Sequence, residues 1–518
     1  MFRMSCPVAP SRAPSRRAVL GGLGALLAGT TALGRAPALA HTQTVHGQGG
    51  GMTLGFDPAY VRGAVEPFAR TTLYAGERLT WPMIGPGFSK EAAIPPHLWG
   101  MLYDDWRPAM EEEGLSVFLQ GLENRGPDNA RKRIYTSALT PDLYERHYRP
   151  KVARFLERLF DPAHEGEPLM ARYYEDYWDL YWDLHLGVRD DAIPPEVREI
   201  GNAFNAVIGF WDPRSEEVYR AYMRVRELRP GLRDWIDARL QDILDGNVEN
   251  PEATIAHYWL VNGGGGENFR REDVVFECFH NFLAFSQWGN TLYRIMDRLD
   301  RENGDAAVRD AFDAALADPD VRDEDGPFTR LDRLTMELFR TISPNTGSLS
   351  TLAVAQEEDE PVEHAFILHP HPETSDDPRH WEDPQAFDPD RYLRVPTSAQ
   401  IDEEACAGAG LARCPFSLVA AEMPEERDVL MRNSGFGTVF ATVEGRDFPV
   451  VDHAGFAPFG FGYRRCAGEW LTIDFFNDVL RKIHAESIVF ARAEVDEPER
   501  LPVGPVTVIE DDIAFERA

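Results

Sequence analysis

The tightest constraint on this chain is an eleven-residue stretch near its C-terminus, Phe459-Gly460-Phe461-Gly462-Tyr463-Arg464-Arg465-Cys466-Ala467-Gly468-Glu469. It is a glycine-rich loop running into a final helical pattern, Gly468 to about His484. A cysteine just before a helix start has its thiolate favoured by the helix dipole and by unpaired backbone N–H groups. The glycines let a flat body approach the backbone closely. Arg464, two residues before Cys466, reaches a carboxylate on that body. These needs together describe a haem (heme, iron protoporphyrin IX): Cys466 is the metal ligand, with Phe459, Gly462, Arg464 and Gly468 around the cofactor. The alternative is a free cysteine in a tight turn. At about 1 in 20 per position, the five-residue match arises by chance in roughly one chain of several thousand.

The rest of the chain reads as mainly α with a smaller β-rich subdomain. Apolar residues recur at three- and four-residue steps over Asp142–Phe160 and Leu180–Gln241. Tyr173 to Trp182 reads as a helix with an aromatic core face and an acidic solvent face. One long helix is expected over Glu272–Leu299, with an unusually apolar middle from Phe276 to Leu283. Another covers Arg330–Arg340 and ends before Pro344. Irregular sequence rich in Pro, Asp and Gly follows, with strand-like pieces such as Ala365-Phe366-Ile367-Leu368. The run Gly263–Gly266 has no following Lys-Ser/Thr and reads as an inter-helix loop rather than a phosphate cradle. There is no internal repeat.

The Cys466 loop resembles the haem-binding signature of the cytochrome P-450 superfamily. Two further segments fall in that family's order: Glu337-Leu338-Phe339-Arg340 looks like its Glu-x-x-Arg helix, and the stretch His380 to Tyr392 looks like the one whose arginine, here Arg391, completes a buried Glu-Arg-Arg cluster. Gly126-Pro127-Asp128-Asn129-Ala130-Arg131-Lys132-Arg133 resembles the helix that supplies a second propionate partner, with Arg131 or Arg133 as that partner. The resemblance implies haem held between a distal helix and a Cys-bearing proximal loop, and oxidation of an apolar substrate.

The sequence also departs from that family. The distal helix of oxygen-activating members carries Ala-Gly-x-Asp/Glu-Thr. Here the best register is Ala284-Phe285-Ser286-Gln287-Trp288, and a register three residues later pairs Asn290 with Thr291; neither has a carboxylate. An amide does not titrate near neutral pH, so the usual proton relay lacks its acid. About sixty residues, 394–451, form an insertion before the haem loop. It contains Cys406 and Cys414, which read equally as a bridge or as two thiols.

Residues 1–40 read as a twin-arginine export signal: Ser15-Arg16-Arg17-Ala18-Val19-Leu20, a short apolar run, and Ala38-Leu39-Ala40 before a mature domain spanning 41–518. The apolar run is too short to span a bilayer, so no stable membrane insertion is expected. With 53 Lys+Arg against 86 Asp+Glu, the net charge is −33, which excludes a nucleic-acid partner. An exported, periplasmic or extracellular enzyme has no nicotinamide pool. The expected function is therefore oxygen insertion into an apolar small molecule driven by peroxide or a hydroperoxide, with Asn281, Ser286 or Gln287 orienting the oxidant. Three alternatives stay open: an O2-using monooxygenase with an electron-donor partner, a lipid-hydroperoxide isomerase or dehydratase, and a haem-based gas sensor or haem carrier with Trp288 closing the distal side.

Overall fold

The computed structural model describes residues 134–210, 215–263, 269–326, 328–344, 347–354, 363–376, 381–394 and 466–518, a few single residues between them (378, 456, 458 and 459), and six short strands. The export segment at residues 1–40 and both cysteines of the insertion lie outside them. The chain divides into two compact units, Met1–Val61 and Arg62–Ala518. In the first, β1 (Thr44–His46) pairs antiparallel with β2 (Thr53–Gly55).

The second unit is mainly helical. A turn at Pro141–Leu143 and a wider π turn, Tyr144–Tyr148, lead into α1 (Arg149–Leu159). Pro150 sits in its first turn, where the missing N–H costs nothing, and Val152, Phe155, Leu156 and Leu159 form its buried stripe. Next come α2 (Met170–Leu186), α3 (Pro195–Phe210), α4 (Glu216–Leu244) and α5 (Ile255–Gly263). α2 stops at Gly187, whose φ of 70° lets its N–H turn back to the Asp183 and Trp182 carbonyls. Gly201 lets α3 lie against α2, because a Cβ there would overlap the Trp178 ring.

Of the acidic residues expected to face solvent in Tyr173–Trp182, Glu175 does, whereas Asp176 and Asp179 do not. Asp176, Asp179 and Asp183 are buried, not a solvent face. Lys151, Arg154 and Arg158 stand on α1 at spacings of three and four, and meet them. Asp183 takes Lys151 at 3.0 Å and Arg154 at 2.7 Å, and Asp179 takes Arg158 at 2.7 Å. Arg158 also bonds Asp176, and Arg198 of α3 bonds Asp179. A carboxylate leaves water only where a cation replaces its hydration, and a helix pattern does not show what the neighbouring helix brings.

The long helix expected over Glu272–Leu299 is two helices, α6 (Arg271–Phe285) and α7 (Gln287–Leu299), separated at Ser286. Helix α8 (Ala306–Ala317) precedes α9 (Arg330–Ile342), which opens on a capping box: Thr329 Oγ1 accepts from the Asp332 N–H at 3.1 Å and Asp332 accepts from the Thr329 N–H at 3.0 Å. The last helix is α10 (Glu469–Ala485).

The β part is small. β3 (Thr72–Tyr74) runs parallel to β6 (Glu363–Pro370), β6 pairs antiparallel with β5 (Gly347–Val354), and β5 with β4 (Phe88–Ser89). Within the insertion only the pair β7 (Thr442–Val443) and β8 (Arg446–Asp447) is described. β9 (Ile488–Arg492) pairs with β12 (Ile513–Arg517), and β10 (Arg500–Gly504) with β11 (Thr507–Glu510). Among the described residues, no helix is long and apolar enough to cross a membrane.

Candidate functional site

Two regions hold the residues named from the sequence. In one, Cys466 stands three residues before α10 with its side chain exposed, although α10 itself starts buried at Glu469, Trp470 and Leu471. The Cys466 N–H donates to the Phe459 carbonyl at 2.8 Å, closing the base of the loop. The Phe459 ring packs on Phe339 of α9 with centroids 5.2 Å apart. Gly468 caps α10, and a Cβ there would sit 3.9 Å from the Cys466 sulfur, so ordinary contact would tolerate a side chain. Gly462, Arg464, Arg131 and Arg133 lie outside the described residues.

α9 also anchors a buried charge cluster. Glu337 and Arg340, one turn apart on α9, are joined by two bonds of 2.8 and 2.7 Å, and Arg391 reaches the same carboxylate at 3.1 Å. The Asp388 N–H at 3.0 Å and the Tyr392 hydroxyl at 3.2 Å complete the donors to Glu337. Both guanidiniums donate onward to backbone carbonyls: Arg340 to Ser375 and Ala386, Arg391 to Glu382, Asp383 and Ala386. The Trp381 ring lies 5.8 and 5.4 Å from the two cations. One carboxylate with every lone pair engaged thus fixes the segment 381–392 against the helix that carries Phe339. The structure brings together the three residues expected from the sequence.

The other region is α6 and the start of α7. From Asp273 to Asn290 these helices are buried except at His280, Leu283, Ala284 and Gln287. That i, i+3, i+4, i+7 spacing is one stripe of a helix surface, with Ala284 exposed and His280, Leu283 and Gln287 half-buried. Of the three distal residues named from the sequence, Gln287 stands on it, beneath Gly504 of β10. Ser286 turns its hydroxyl onto the Leu283 carbonyl at 2.9 Å, at the break between the helices. Asn281 is buried behind the stripe: its carbonyl accepts from the Tyr135 hydroxyl at 2.7 Å, and its amide meets His185 Nε2 at 3.2 Å.

His185 is neutral by this geometry, since Nδ1–H donates to the Tyr181 carbonyl at 2.8 Å and Nε2 accepts from Asn281. Full burial drives its pKa down to about 3. Burial pushes the Tyr135 phenol well up, and the charges of Glu277 and then Cys466 push the same way. Asn290 and Thr291 bond backbone, donating to the Pro344 and Gln287 carbonyls. The Trp288 indole stacks on Phe475 of α10, with centroids 4.1 Å apart, and donates to Thr472 at 3.1 Å. It belongs to the packing between α7 and α10, which removes the basis for the expectation that it closes the distal side.

The sequence reading passed over Tyr135, His185, Glu277 and His280. Glu277 and His280 sit within the segment read simply as apolar. Two ionisable residues one turn apart in such a run were the available signal.

No family model matches this chain, and no curated protein does. Solved structures do. The cyanobacterial CYP120A1 with bound retinoic acid is 14% identical, with a TM-score of 0.51 over 86% of both chains. A variant of cytochrome P-450 SP alpha (CYP152B1) is also 14% identical, with a TM-score of 0.50 over 83% of this chain and 86% of its own. The likeness establishes that this chain has the cytochrome P-450 fold.

Proposed function

We propose that this chain is a haem-thiolate oxidoreductase that inserts oxygen from peroxide or a hydroperoxide into an apolar substrate. The observation that carries the reading is the exposed Cys466, set just before the N-terminus of α10 in a chain with the cytochrome P-450 fold. Among the described residues no group of three or more His, Cys, Asp or Glu gathers around a bare metal ion. A cysteine placed just before a helix start fits a planar cofactor whose iron brings its own nitrogen ligands. Cys466 would ligate it, with Phe459 and Gly468 beside it; Arg464, Arg131 and Arg133 are the proposed propionate partners. When bound, haem supplies the cleavage of an O–O bond and the transfer of one oxygen atom.

The chain's own residues do the rest. The saturated Glu337 cluster and the Phe459–Phe339 contact fix the thiol loop before the cofactor arrives. Leu283 and Ala284 would offer a hydrocarbon an apolar surface on the distal helix. The cyanobacterial neighbour binds retinoic acid, a largely hydrocarbon carboxylic acid. Gln287 offers the oxidant a donor and an acceptor. Asn281 positions Tyr135, and Ser286 fixes the helix break. The twin-arginine segment would place the enzyme outside the cytoplasm, where peroxide replaces a nicotinamide-fed reductase.

The test is the spectrum of the reduced protein under CO, followed by turnover of a fatty acid with hydrogen peroxide alone. A thiolate-type spectrum that Cys466→Ser abolishes, together with reductase-free turnover, is the expected result. A chain that purifies without porphyrin, or keeps the thiolate spectrum as Cys466→Ser, overturns the reading.

A further inference from the structure

The aromatic run of α2, Tyr173 to Trp182, is built in a way that core packing alone does not require. Three of its rings leave a polar atom buried without a hydrogen-bond partner: the hydroxyls of Tyr173 and Tyr177 and the indole N–H of Trp182. Each such atom is costly, and phenylalanine would fill the place without that cost. Once the hydrogen bond is discounted, what tyrosine and tryptophan have beyond phenylalanine is an electron-rich ring that gives up one electron more readily. Trp182 is the extreme case. It is 0% exposed, and whereas Trp178, Trp259 and Trp288 each donate the indole N–H to an oxygen, its own meets none. An oxidised indole with no acceptor for its proton keeps its positive charge mobile, so the charge is passed on rather than trapped. Three rings meet Trp182 at steep angles, Tyr181 and Trp235 at 4.9 Å and Phe282 at 5.6 Å, and such neighbours favour a cation.

These rings lie on a continuous path. Trp288 stacks on Phe475 of α10, the helix that begins three residues after Cys466, and donates to Thr472, whose N–H returns to the Gly468 carbonyl at 2.9 Å. From Trp288 the ring-to-ring steps are 4.7 Å to Phe285, 5.4 Å to Tyr181, 4.9 Å to Trp182 and 4.9 Å to Trp235, a half-buried ring on α4. We propose that this path carries single electrons between the Cys466 site and the protein surface. Trp288 and Trp182 are the inner carriers and Trp235 is the outlet. Phe285 and Tyr181 are bridges, since the Tyr181 hydroxyl donates only to the Cys278 carbonyl, which is no base. The role rests on the haem-thiolate reading. Hydrogen peroxide takes up two electrons and two protons and leaves as two waters. When no substrate C–H supplies the electrons, Trp288 gives one, Trp182 refills Trp288, and Trp235 refills Trp182. A soluble reductant of the ascorbate class returns an electron to Trp235 twice per peroxide, and the two protons it releases are those the waters need. The path thus diverts oxidising power away from the site when substrate is absent.

The test treats the haem-loaded chain with hydrogen peroxide, without substrate, in the presence of a nitrone spin trap, and locates the trapped radicals by peptide mass spectrometry. An adduct on Trp235 is expected, and its rate of formation should fall by about tenfold or more in Trp182→Phe, with the reduced CO spectrum kept as proof of an intact site. Trp182 is fully buried, so its loss acts on Trp235 only through transfer, which a merely structural role would not produce. Ascorbate should also increase the peroxide consumed before the haem bleaches, and do so much less in Trp182→Phe. Should Trp182→Phe fail to fold, Trp235→Phe, which alters a half-buried ring, should lose the ascorbate effect and keep the CO spectrum. No adduct on Trp235 in the unaltered chain, the same adduct rate in Trp182→Phe, or an undiminished ascorbate effect in Trp235→Phe overturns the path and leaves the haem reading standing. Absence of a thiolate spectrum from the unaltered chain overturns the haem reading and the proposed role with it.

Discussion

Glu337 and Glu277 make an instructive pair. Each is almost fully buried on a helix of the same unit, and each has a basic partner three residues on, Arg340 in one case and His280 in the other. Glu337 accepts from Arg340, Arg391, Asp388 and Tyr392, and both arginines are held in turn by carbonyls. Glu277 has one 3.3 Å contact and one oxygen without a partner. Identical spacing therefore yields two different objects. A satisfied buried charge specifies geometry, whereas a half-satisfied one is a cost that the rest of the fold carries.

The largest expected effect is on the satisfied side. Glu337→Gln leaves two buried guanidiniums short of their counter-charge and should cost about 3–5 kcal/mol, measured by denaturant unfolding. A loss below 1 kcal/mol would mean the cluster is not the lock its geometry describes. The distal network supplies the next test. His185 has a folded pKa near 3, against an unfolded value of about 6.5. Its pKa is depressed on folding, so its contribution is complete above about pH 6.5 and is lost as pH falls toward 3, where only the unfolded chain binds the proton. Unfolding free energy should decline by up to about 1.4 kcal/mol per pH unit across that window, and His185→Gln should flatten the slope. The smallest effect belongs to Glu277→Gln, which removes a half-satisfied buried charge and should change stability by less than about 1 kcal/mol. If it destabilises as much as Glu337→Gln does, the contrast between the two glutamates collapses.

Legibility from the sequence tracked how local each signal is. The Cys466 loop, the Glu337-x-x-Arg340 pair and the boundaries of α9 and α10 could be read because capping, periodicity and fixed spacing act within a few residues. The break at Ser286 escaped, since no proline or glycine marks it and Ser286 turns its hydroxyl back on its own helix at Leu283. Asp176 and Asp179 of α2 were placed in solvent because their partners lie on α1 and α3, outside any local window. Asn281 was named as a group facing the oxidant, whereas its side chain is engaged by Tyr135 and His185, which lie 146 and 96 residues away.

The sequence by itself determined that this chain is mainly helical and acidic, and that a cysteine precedes its last helix with glycine and arginine around it. Only the tertiary structure decided which buried charges are paired, which stripe of α6 and α7 is the less buried one, and that Glu277 keeps an oxygen without a partner. Helix periodicity is written in neighbouring residues, whereas the satisfaction of a buried polar group depends on what distant segments bring to it on folding.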